Sequence, residues 1–328
     1  MSIVATGADA ASLRGMRSTR RSDATFKGLT VSAGFLVFVI LVAIAVFLVL
    51  KALPAFHADK SNFWTTRIWD PDNTLHFGIA ALVFGTVLTS ALALIMSVPV
   101  ALGVALYITQ YAPRRIANWL GYATDMLAAV PSVVYGLWGA FFLLPHLVRL
   151  QVFMSHNFGW IPLFADKDNQ VSAYSKSVFG AAVVLAIMIL PIVAAISREI
   201  FRQVDPSQRE AALALGATRW EMIRTAVLPP SWPGVTSAIM LGLGRALGET
   251  IAVALVIGNV FTIDWHVLIP GGNTIAANIA NRFGEASSTG RAALIASGLV
   301  LFVITLAVNL VARYVIYRSG KEERSAAV

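Results

Sequence analysis

Residues 177–197 read SVFGAAVVLAIMILPIVAAIS, a run of 21 residues without a charged side chain. A helix of roughly 20 apolar residues is long enough to cross a hydrocarbon layer of about 30 Å. Such a segment must be helical, because lipid offers no hydrogen-bond partner to an exposed backbone N–H or C=O group. Similar charge-free runs lie at 28–50, 126–148 and 292–312. The chain is therefore predicted to be an all-α, polytopic membrane protein.

The overall composition agrees with this class. Of the 328 residues, 57% are hydrophobic and only 13% are charged, whereas a soluble domain carries about 25% charged residues. The net charge is +8, but the basic residues follow the loops of a membrane protein, so nucleic-acid binding is not expected. The absence of cysteine excludes disulfides, thiol nucleophiles and thiolate metal sites. The five histidines lack metal-ligand spacing, so no metal site is expected.

The distribution of basic residues sets the number and direction of the spans. We predict six transmembrane helices with cytoplasmic N and C termini, at about 29–50, 77–110, 118–146, 178–200, 234–259 and 291–317. This arrangement puts 16 of the 25 Lys and Arg residues inside and 8 outside, as the positive-inside rule requires. A flexible basic tail over 1–27 precedes the transmembrane domain over 28–320, and a cytoplasmic tail over 321–328 follows it.

The inner loop over 205–229 carries a first predicted short helix, at about 206–215. Asp205 is a favourable N-cap, and Pro206 suits the first helical position, where no N–H is needed. Gly216 stands where the end of a helix favours a left-handed residue. The helix is therefore expected to end in a turn at Gly216.

A second short helix is predicted at about 218–227 of the same loop. Thr218 and Glu221 have the spacing of a capping box. Leu228 and Pro229 are expected to end this helix. The inner loop is thus predicted to consist of two capped helices hinged at one glycine.

The first loop helix offers a face with little side-chain bulk, formed by Ala211, Ala212, Ala214 and Leu215. Arg209 and Glu210 are expected at the rim of this face. Such a surface suits insertion into a groove on another protein. An ordinary amphipathic connector is the alternative interpretation.

The fifth predicted span contains the charged residues Arg245 and Glu249. Four residues apart, they would share one face of a continuous helix. A charge at mid-membrane costs roughly 2.5–3.5 kcal/mol on insertion scales, so these residues need a reason to be there. Either they form an ion pair that fixes helix packing, or Arg245 offers its planar fork to an oxyanion on a substrate path. Thr250 adds a hydroxyl group at the same level.

The inner loop resembles the EAA motif of ATP-binding-cassette importer permeases. The resemblance rests on Glu210-Ala211-Ala212, Gly216 and Leu228-Pro229. Ala226 departs from the family, which usually has isoleucine there. The resemblance implies the type I ABC importer permease fold of the MetI-like family, with the loop as a coupling helix that docks into a cytoplasmic ATPase. The implied coupling residues are Arg209, Glu210, Ala211, Ala212, Gly216, Leu228 and Pro229.

Two further segments resemble the C-type permease subunit (PstC) of phosphate-specific importers. They are GRALGETIAVALVIGN at 244–259 and MLAAVPSVVYGLWG at 126–139. The resemblance implies inorganic phosphate as the substrate and places Arg245 and Glu249 on its path. Thr250, Ser132 and Tyr135 are the other pathway candidates, although Ser132 and Tyr135 could instead pack beside Pro131. Asp125, just before the third charge-free run, is interpreted as an interfacial cap or a buried gate residue.

The chain itself is not expected to bind nucleotide or to be an enzyme. Its Gly320-Lys321 pair lacks the upstream glycine-rich turn of a phosphate-binding loop. The resemblance implies that ATP and Mg are bound by an ATPase dimer, that an A-type permease subunit completes a heterodimer, and that an external phosphate-binding protein delivers the substrate. It also implies the bacterial inner membrane and an alternating-access mechanism.

Three alternatives to phosphate transport remain open from the sequence. One is a permease of the same class for another oxyanion or an organic solute, against which the segments at 126–139 and 244–259 argue. A second is a membrane subunit that senses phosphate without transporting it. A third, an ion-coupled transporter without an ATPase, conflicts with the inner loop.

Overall fold

The structure is a computed structural model that describes residues 8–166, 171 and 176–326, with side chains described over 25–166, 171 and 176–314. Regular structure is helical except for two short strands, β1 (Trp69–Asp70) and β2 (His76–Phe77), which pair antiparallel. The all-α prediction is therefore confirmed for the described residues.

The helices of the described residues follow one another along the chain as α1 (Ala8–Ala58), α2 (Ala80–Leu106), α3 (Arg114–Ala128), α4 (Ser132–Trp138), α5 (Leu144–Phe158), α6 (Val178–Arg202), α7 (Pro206–Ala214), α8 (Arg219–Met222), α9 (Leu228–Gly248), α10 (Ile251–Val256), α11 (Ile275–Arg282) and α12 (Ser288–Ala326). Turns of π-helix extend α2 and join α4 to α5 and α8 to α9, at Tyr107–Tyr111, Gly139–Leu143 and Ile223–Val227. A 3₁₀ turn covers Pro162–Phe164.

Two compact units divide the chain, Met1–Lys51 and Ala52–Val328, so that α1 contributes to both. The sequence predicted a flexible tail over 1–27. In the structure, α1 of the first unit already begins at Ala8. Residues 1–7 lie outside the described part. Extension of a helix beyond the span requires no new nucleus, which accounts for the helical residues 8–27. At the other end, α12 continues through the predicted tail as far as Ala326.

Five helical stretches of the described residues are long and apolar enough to cross a membrane. They are Thr25–Ala58, Ala80–Tyr111, Ser132–Phe158, Val178–Arg202 and Ser288–Tyr314. They correspond to the first four predicted spans and to the sixth.

The third predicted span, 118–146, is not one helix. The chain leaves the helical path after Ala128 and resumes it at Ser132, and Pro131 between them has an extended backbone, with φ −60° and ψ 139°. Proline lacks the N–H of a helix interior and disfavours a helical conformation at the residue before it, which accounts for the break.

The fifth predicted span, 234–259, is also divided. Helix α9 ends at Gly248, Glu249 has φ −68° and ψ 126°, and α10 begins at Ile251. A 21-residue helix, α9, and a six-residue helix, α10, therefore replace the single helix that the sequence predicted. The six-span count and the cytoplasmic position of both termini stay predictions.

Helix α6 lies at the centre of the second unit, where α2, α3 and α9 pack against it. Its buried side chains include Leu185, Met188, Ile189 and Val193. Gly242 of α9 fits against two of them, because a Cβ atom there would lie 2.7 Å from Ile189 Cγ2 and 2.9 Å from Val193 Cγ2. Within lipid, such close packing stabilises helix pairs mainly through van der Waals contacts.

Replacement of Gly242 by leucine is expected to destabilise the α6–α9 contact by about 1–3 kcal/mol, the usual cost of overpacking a dense interior. Gly103 of α2, whose absent Cβ faces open space, provides the matched control. Thermal unfolding in detergent should show a lower midpoint for Gly242→Leu than for Gly103→Leu. Equal midpoints would mean that α9 does not pack on α6 as described.

Candidate functional site

The first helix of the inner loop is capped as predicted. The Asp205 carboxylate accepts a hydrogen bond from the backbone N–H of Ser207 at 2.9 Å, and Pro206 occupies the first helical position. Gly216, just after α7, has φ +87°, a left-handed conformation that glycine adopts without a side-chain clash. Both ends of this helix are therefore fixed by its local sequence.

The second loop helix has the predicted capping box. The backbone N–H of Glu221 donates to Thr218 Oγ1 at 3.3 Å, and that of Thr218 donates to Glu221 Oε2 at 2.8 Å. The expectation that Leu228 and Pro229 end the helix is wrong, because α8 passes through a π turn directly into α9. Prolines are tolerated there because N–H groups in the first turn of α9 need no α-helical partner.

The tip of the loop is open to solvent. No residue of α7 is buried, and Glu210 and Ala211 are exposed, whereas Ala212 packs against the base of the loop. Leu215 is 90% exposed and Trp220 57% exposed. Large apolar side chains grouped on an exposed loop mark a surface for a protein partner.

Arg209 does not stand at the rim of this surface. Its guanidinium folds back and donates to the carbonyl oxygens of Phe201 at 2.8 Å and Val204 at 2.7 Å. The carbonyl groups at the end of a helix lack partners within it, and a cation near them is favourable. Arg209 therefore attaches α7 to the end of α6.

The helix breaks near the predicted substrate path lie beside each other. A Cβ atom on Gly136 would lie 2.7 Å from Ala252 Cα, and one on Gly139 would lie 3.3 Å from Val256 Cγ1. Helix α4 and the π turn after it therefore run in the same direction as α10 in close contact, with the second turn of α4 beside the first turn of α10. Irregular backbone at membrane depth is tolerated where protein buries it or where it lines a water-filled cavity.

Arg245 and Glu249 do not share a helix face, because α9 ends between them at Gly248. Glu249 is 9% exposed, and its Oε1 accepts the backbone N–H of Ala252 at 3.3 Å, so it caps α10. Arg245, in the last turn of α9, is exposed. Among the described side chains, no ion pair joins the two. The arginine is therefore available for another anion.

The hydroxyl groups predicted for the pathway have different positions. Ser132 is half-buried at the start of α4, and Thr250 is half-buried just before α10, where its hydroxyl donates to the Gly248 carbonyl at 3.0 Å. Tyr135 is 8% exposed, and its hydroxyl donates to the carbonyl of Leu127 at 2.8 Å, across the break between α3 and α4. The Tyr135 hydroxyl is thus engaged by the protein backbone, and a role for Tyr135 on the pathway stays a prediction.

An ion pair that the sequence did not reveal joins α3 to α6. Arg198 Nη2 lies 3.0 Å and 3.1 Å from the two carboxylate oxygens of Asp125, and Arg198 Nη1 donates to Thr124 Oγ1 at 3.3 Å. Asp125 is thus neither a helix cap nor a buried residue, since half of its side chain is exposed. The partners are 73 residues apart, so no local pattern could have paired them.

The family model for inner membrane components of binding-protein-dependent transport systems matches residues 97–320. The chain belongs to this family. The phosphate transport system permease protein PstC 2 of Mycobacterium tuberculosis is 45% identical over 304 residues, covering 91% of this chain and 93% of that protein. PstC of Mycobacterium leprae is 46% identical over 301 residues, covering 90% and 93%. PstC of Xylella fastidiosa is 38% identical over 304 residues, covering 92% and 93%. The resemblance to the PstC permeases is confirmed.

Solved structures of two transporters support the fold of this family member. The inward-facing MetNI methionine ABC transporter matches with a TM-score of 0.51 at 16% identity, covering 73% of this chain and 96% of the matched chain. An ABC transporter involved in import of the polysaccharide alginate matches with a TM-score of 0.50 at 20% identity, covering 72% and 79%. The chain is a multi-pass membrane protein with the predicted type I ABC importer permease fold.

Two carboxyl groups in the inner loop of this permease have shifted pKa values. The backbone N–H and then the side chain of Ser207 hold the pKa of Asp205 below its usual value. The backbone N–H and then the hydroxyl of Thr218 do the same for Glu221. Each carboxylate therefore stabilises its helix in the ionised form.

As the pH is lowered, α7 and α8 are expected to lose helical structure at a higher pH than the membrane-spanning helices do. The folded-state pKa values lie below the unfolded ones, so the caps stabilise the loop above the unfolded pKa, and this contribution is lost as the pH falls through the folded pKa. Carbonyl and α-carbon NMR shifts of the labelled permease would report both titration and helix content. Asp205→Asn keeps a cap but does not titrate, so it should remove the pH dependence of α7. An α7 that titrates equally in both proteins would contradict this assignment.

Proposed function

We propose that this chain is a transmembrane permease subunit of an ATP-driven importer for inorganic phosphate in the bacterial inner membrane. The observation that carries the proposal is an exposed arginine, Arg245, for which no ion pair is found among the described side chains, beside two broken helices in a permease fold. The names of the relatives support phosphate as its substrate.

The chemistry at the helix breaks suits an oxyanion. The planar guanidinium of Arg245 can donate two parallel hydrogen bonds to phosphate oxygens. The Glu249 carboxylate accepts a hydrogen bond at the start of α10 and does not form an ion pair with Arg245. Its negative charge repels a bound anion and thereby shortens the time that the anion stays. Ser132 and Thr250 add hydroxyl groups near adjacent helix starts, and Tyr135 holds the break in shape. Broken helices of this kind form substrate sites in many transporters.

The partners follow from the family. A homologous A-type permease subunit would complete the pathway as a heterodimer, and an external phosphate-binding protein would deliver the substrate. An ATPase dimer would bind ATP and Mg and take up the loop tip, so this chain itself is not an enzyme. We take α9 and α10 together as the fifth span, which gives six spans. With both termini in the cytoplasm, the loop of α7 and α8 then lies on the same side of the membrane as the ATPase.

The loop is connected to the substrate path by one helical segment. Residues 219–248 form a continuous helical path from α8 to the end of α9, and Arg245 lies about 40 Å along it from Arg219 at the usual helical rise. A π turn near its base is a frequent place for functional bending. ATPase closure against the loop could therefore change the exposure of Arg245 from one side of the membrane to the other.

Loss of the Arg245 charge is expected to abolish most transport. With its presumed partners in proteoliposomes, Arg245→Gln should lower ATP-dependent phosphate uptake by about tenfold or more, because a hydrogen bond to a charged group contributes about 1.5–3 kcal/mol. Arg313→Gln, which removes an exposed arginine of α12, is the matched control. Full uptake by Arg245→Gln would exclude this pathway, and uptake of sulfate without phosphate would exclude the proposed substrate.

The turn at Gly216 is expected to be required for coupling to the ATPase. Proline fixes φ near −65°, which is incompatible with φ +87° at this position, so Gly216→Pro should impair ATPase binding or abolish uptake without stopping ATP hydrolysis. Asparagine tolerates the left-handed region, so Gly216→Asn should retain coupling. Measured ATPase co-purification and uptake that are normal in Gly216→Pro would argue against the loop as the docking element.

A further inference from the structure

The cytoplasmic end of α6 is held on two sides by arginine side chains. On one side, Arg209 of α7 donates to the carbonyl groups of Phe201 and Val204. On the other side, Nη2 of Arg198 in α6 contacts both carboxylate oxygens of Asp125 in α3. A movement of the loop helix that displaces the end of α6 therefore acts on α3 as well.

The position of Arg198 is defined closely. Its side chain is 11% exposed, and it also donates to Thr124, whose hydroxyl donates to the carbonyl of Gly121. A Cβ atom on Gly121 would lie only 2.6 Å from Arg198 Nη1. The guanidinium thus lies in a recess of α3 that a glycine leaves open.

The end of α3 is joined in turn to the helices of the substrate path. The Tyr135 hydroxyl of α4 donates to the carbonyl of Leu127, in the last turn of α3. One residue further along α4, Gly136 lies against the backbone of Ala252 in α10. The N–H of Ala252 is the group that Glu249 caps. Polar and backbone contacts therefore form a continuous series from the loop to the helix break.

We propose that the Asp125–Arg198 ion pair is a positioning contact that transmits the movement of the coupling loop through α3 to the break beside Arg245. This inference rests on the proposed function and adds a second connection, parallel to the helical path through α8 and α9. Asp125 and Arg198 do not touch the substrate in this account. They keep α3 and α6 moving together, so that ATPase closure reaches Tyr135 and α4.

The test measures how much phosphate is imported per ATP hydrolysed. In proteoliposomes containing the complete complex, Asp125→Asn should lower this ratio by roughly threefold or more, a size typical of residues that carry coupling. ATPase co-purification should be unchanged. The exchanged pair, Asp125→Arg with Arg198→Asp, should recover part of the ratio, because it restores opposite charges at the same two positions.

Glu199→Gln is the matched control, since it removes the exposed carboxylate next to Arg198, for which no ion pair is found among the described side chains. It should leave the ratio unchanged. If Asp125→Asn fails to assemble, Arg198→Lys decides the question in the same assay, because it keeps the positive charge but removes the guanidinium that contacts Asp125 and Thr124 together.

The outcomes separate this inference from the proposed function. A normal ratio in Asp125→Asn, or in an assembled Arg198→Lys when Asp125→Asn does not assemble, would overturn the positioning role. So would an equal fall in Glu199→Gln, because the effect would then be one of charge alone. An unsubstituted complex that imports no phosphate would instead reject the proposed function.

Discussion

The lack of hydrogen-bond partners in lipid is the constraint on which this structure depends. Within the hydrocarbon layer, each backbone N–H and C=O group must be satisfied by the protein or by water in a cavity. The chain departs from helical geometry near Pro131 and again near Glu249, and the helices that follow these breaks pack against each other. The two irregular segments can therefore share one protected environment. The side chain of Arg245, in the last turn before the second break, is exposed.

Helix α6 connects this protected region to the loop formed by α7 and α8. Its interior residues pack tightly, with glycine and alanine allowing close approach, and its end carries hydrogen bonds from Arg209 and the ion pair of Arg198. An ion pair with one partner half exposed contributes only about 0–1 kcal/mol to stability. Its geometric effect is larger, since Arg198 contacts Asp125 through Nη2 and Thr124 through Nη1, and these contacts together position α3 relative to α6.

The inner loop could be predicted in detail because its structure is local. Asp205, Gly216 and the Thr218–Glu221 capping box act within one or two turns of the chain, and each is found where the sequence placed it. The prediction of where the second helix ends was wrong, because proline interrupts the interior of a helix but is tolerated in its first turn. Whether Pro229 stood in an interior or in a first turn depended on the π turn before it, which no residue pattern identified.

Sequence alone determined the class of the protein, the apolar segments, the loop and the presence of Arg245 and Glu249 in an otherwise apolar segment. Each of these depends on charge-free length or on neighbours within a few residues. Only the tertiary structure decided that Glu249 caps α10, that Arg209 holds the end of α6 and that Asp125 pairs with Arg198. A carboxylate or a guanidinium group can bind several kinds of partner. Its actual partner depends on the tertiary packing, which brings segments that are distant in the chain to within about 3 Å of each other.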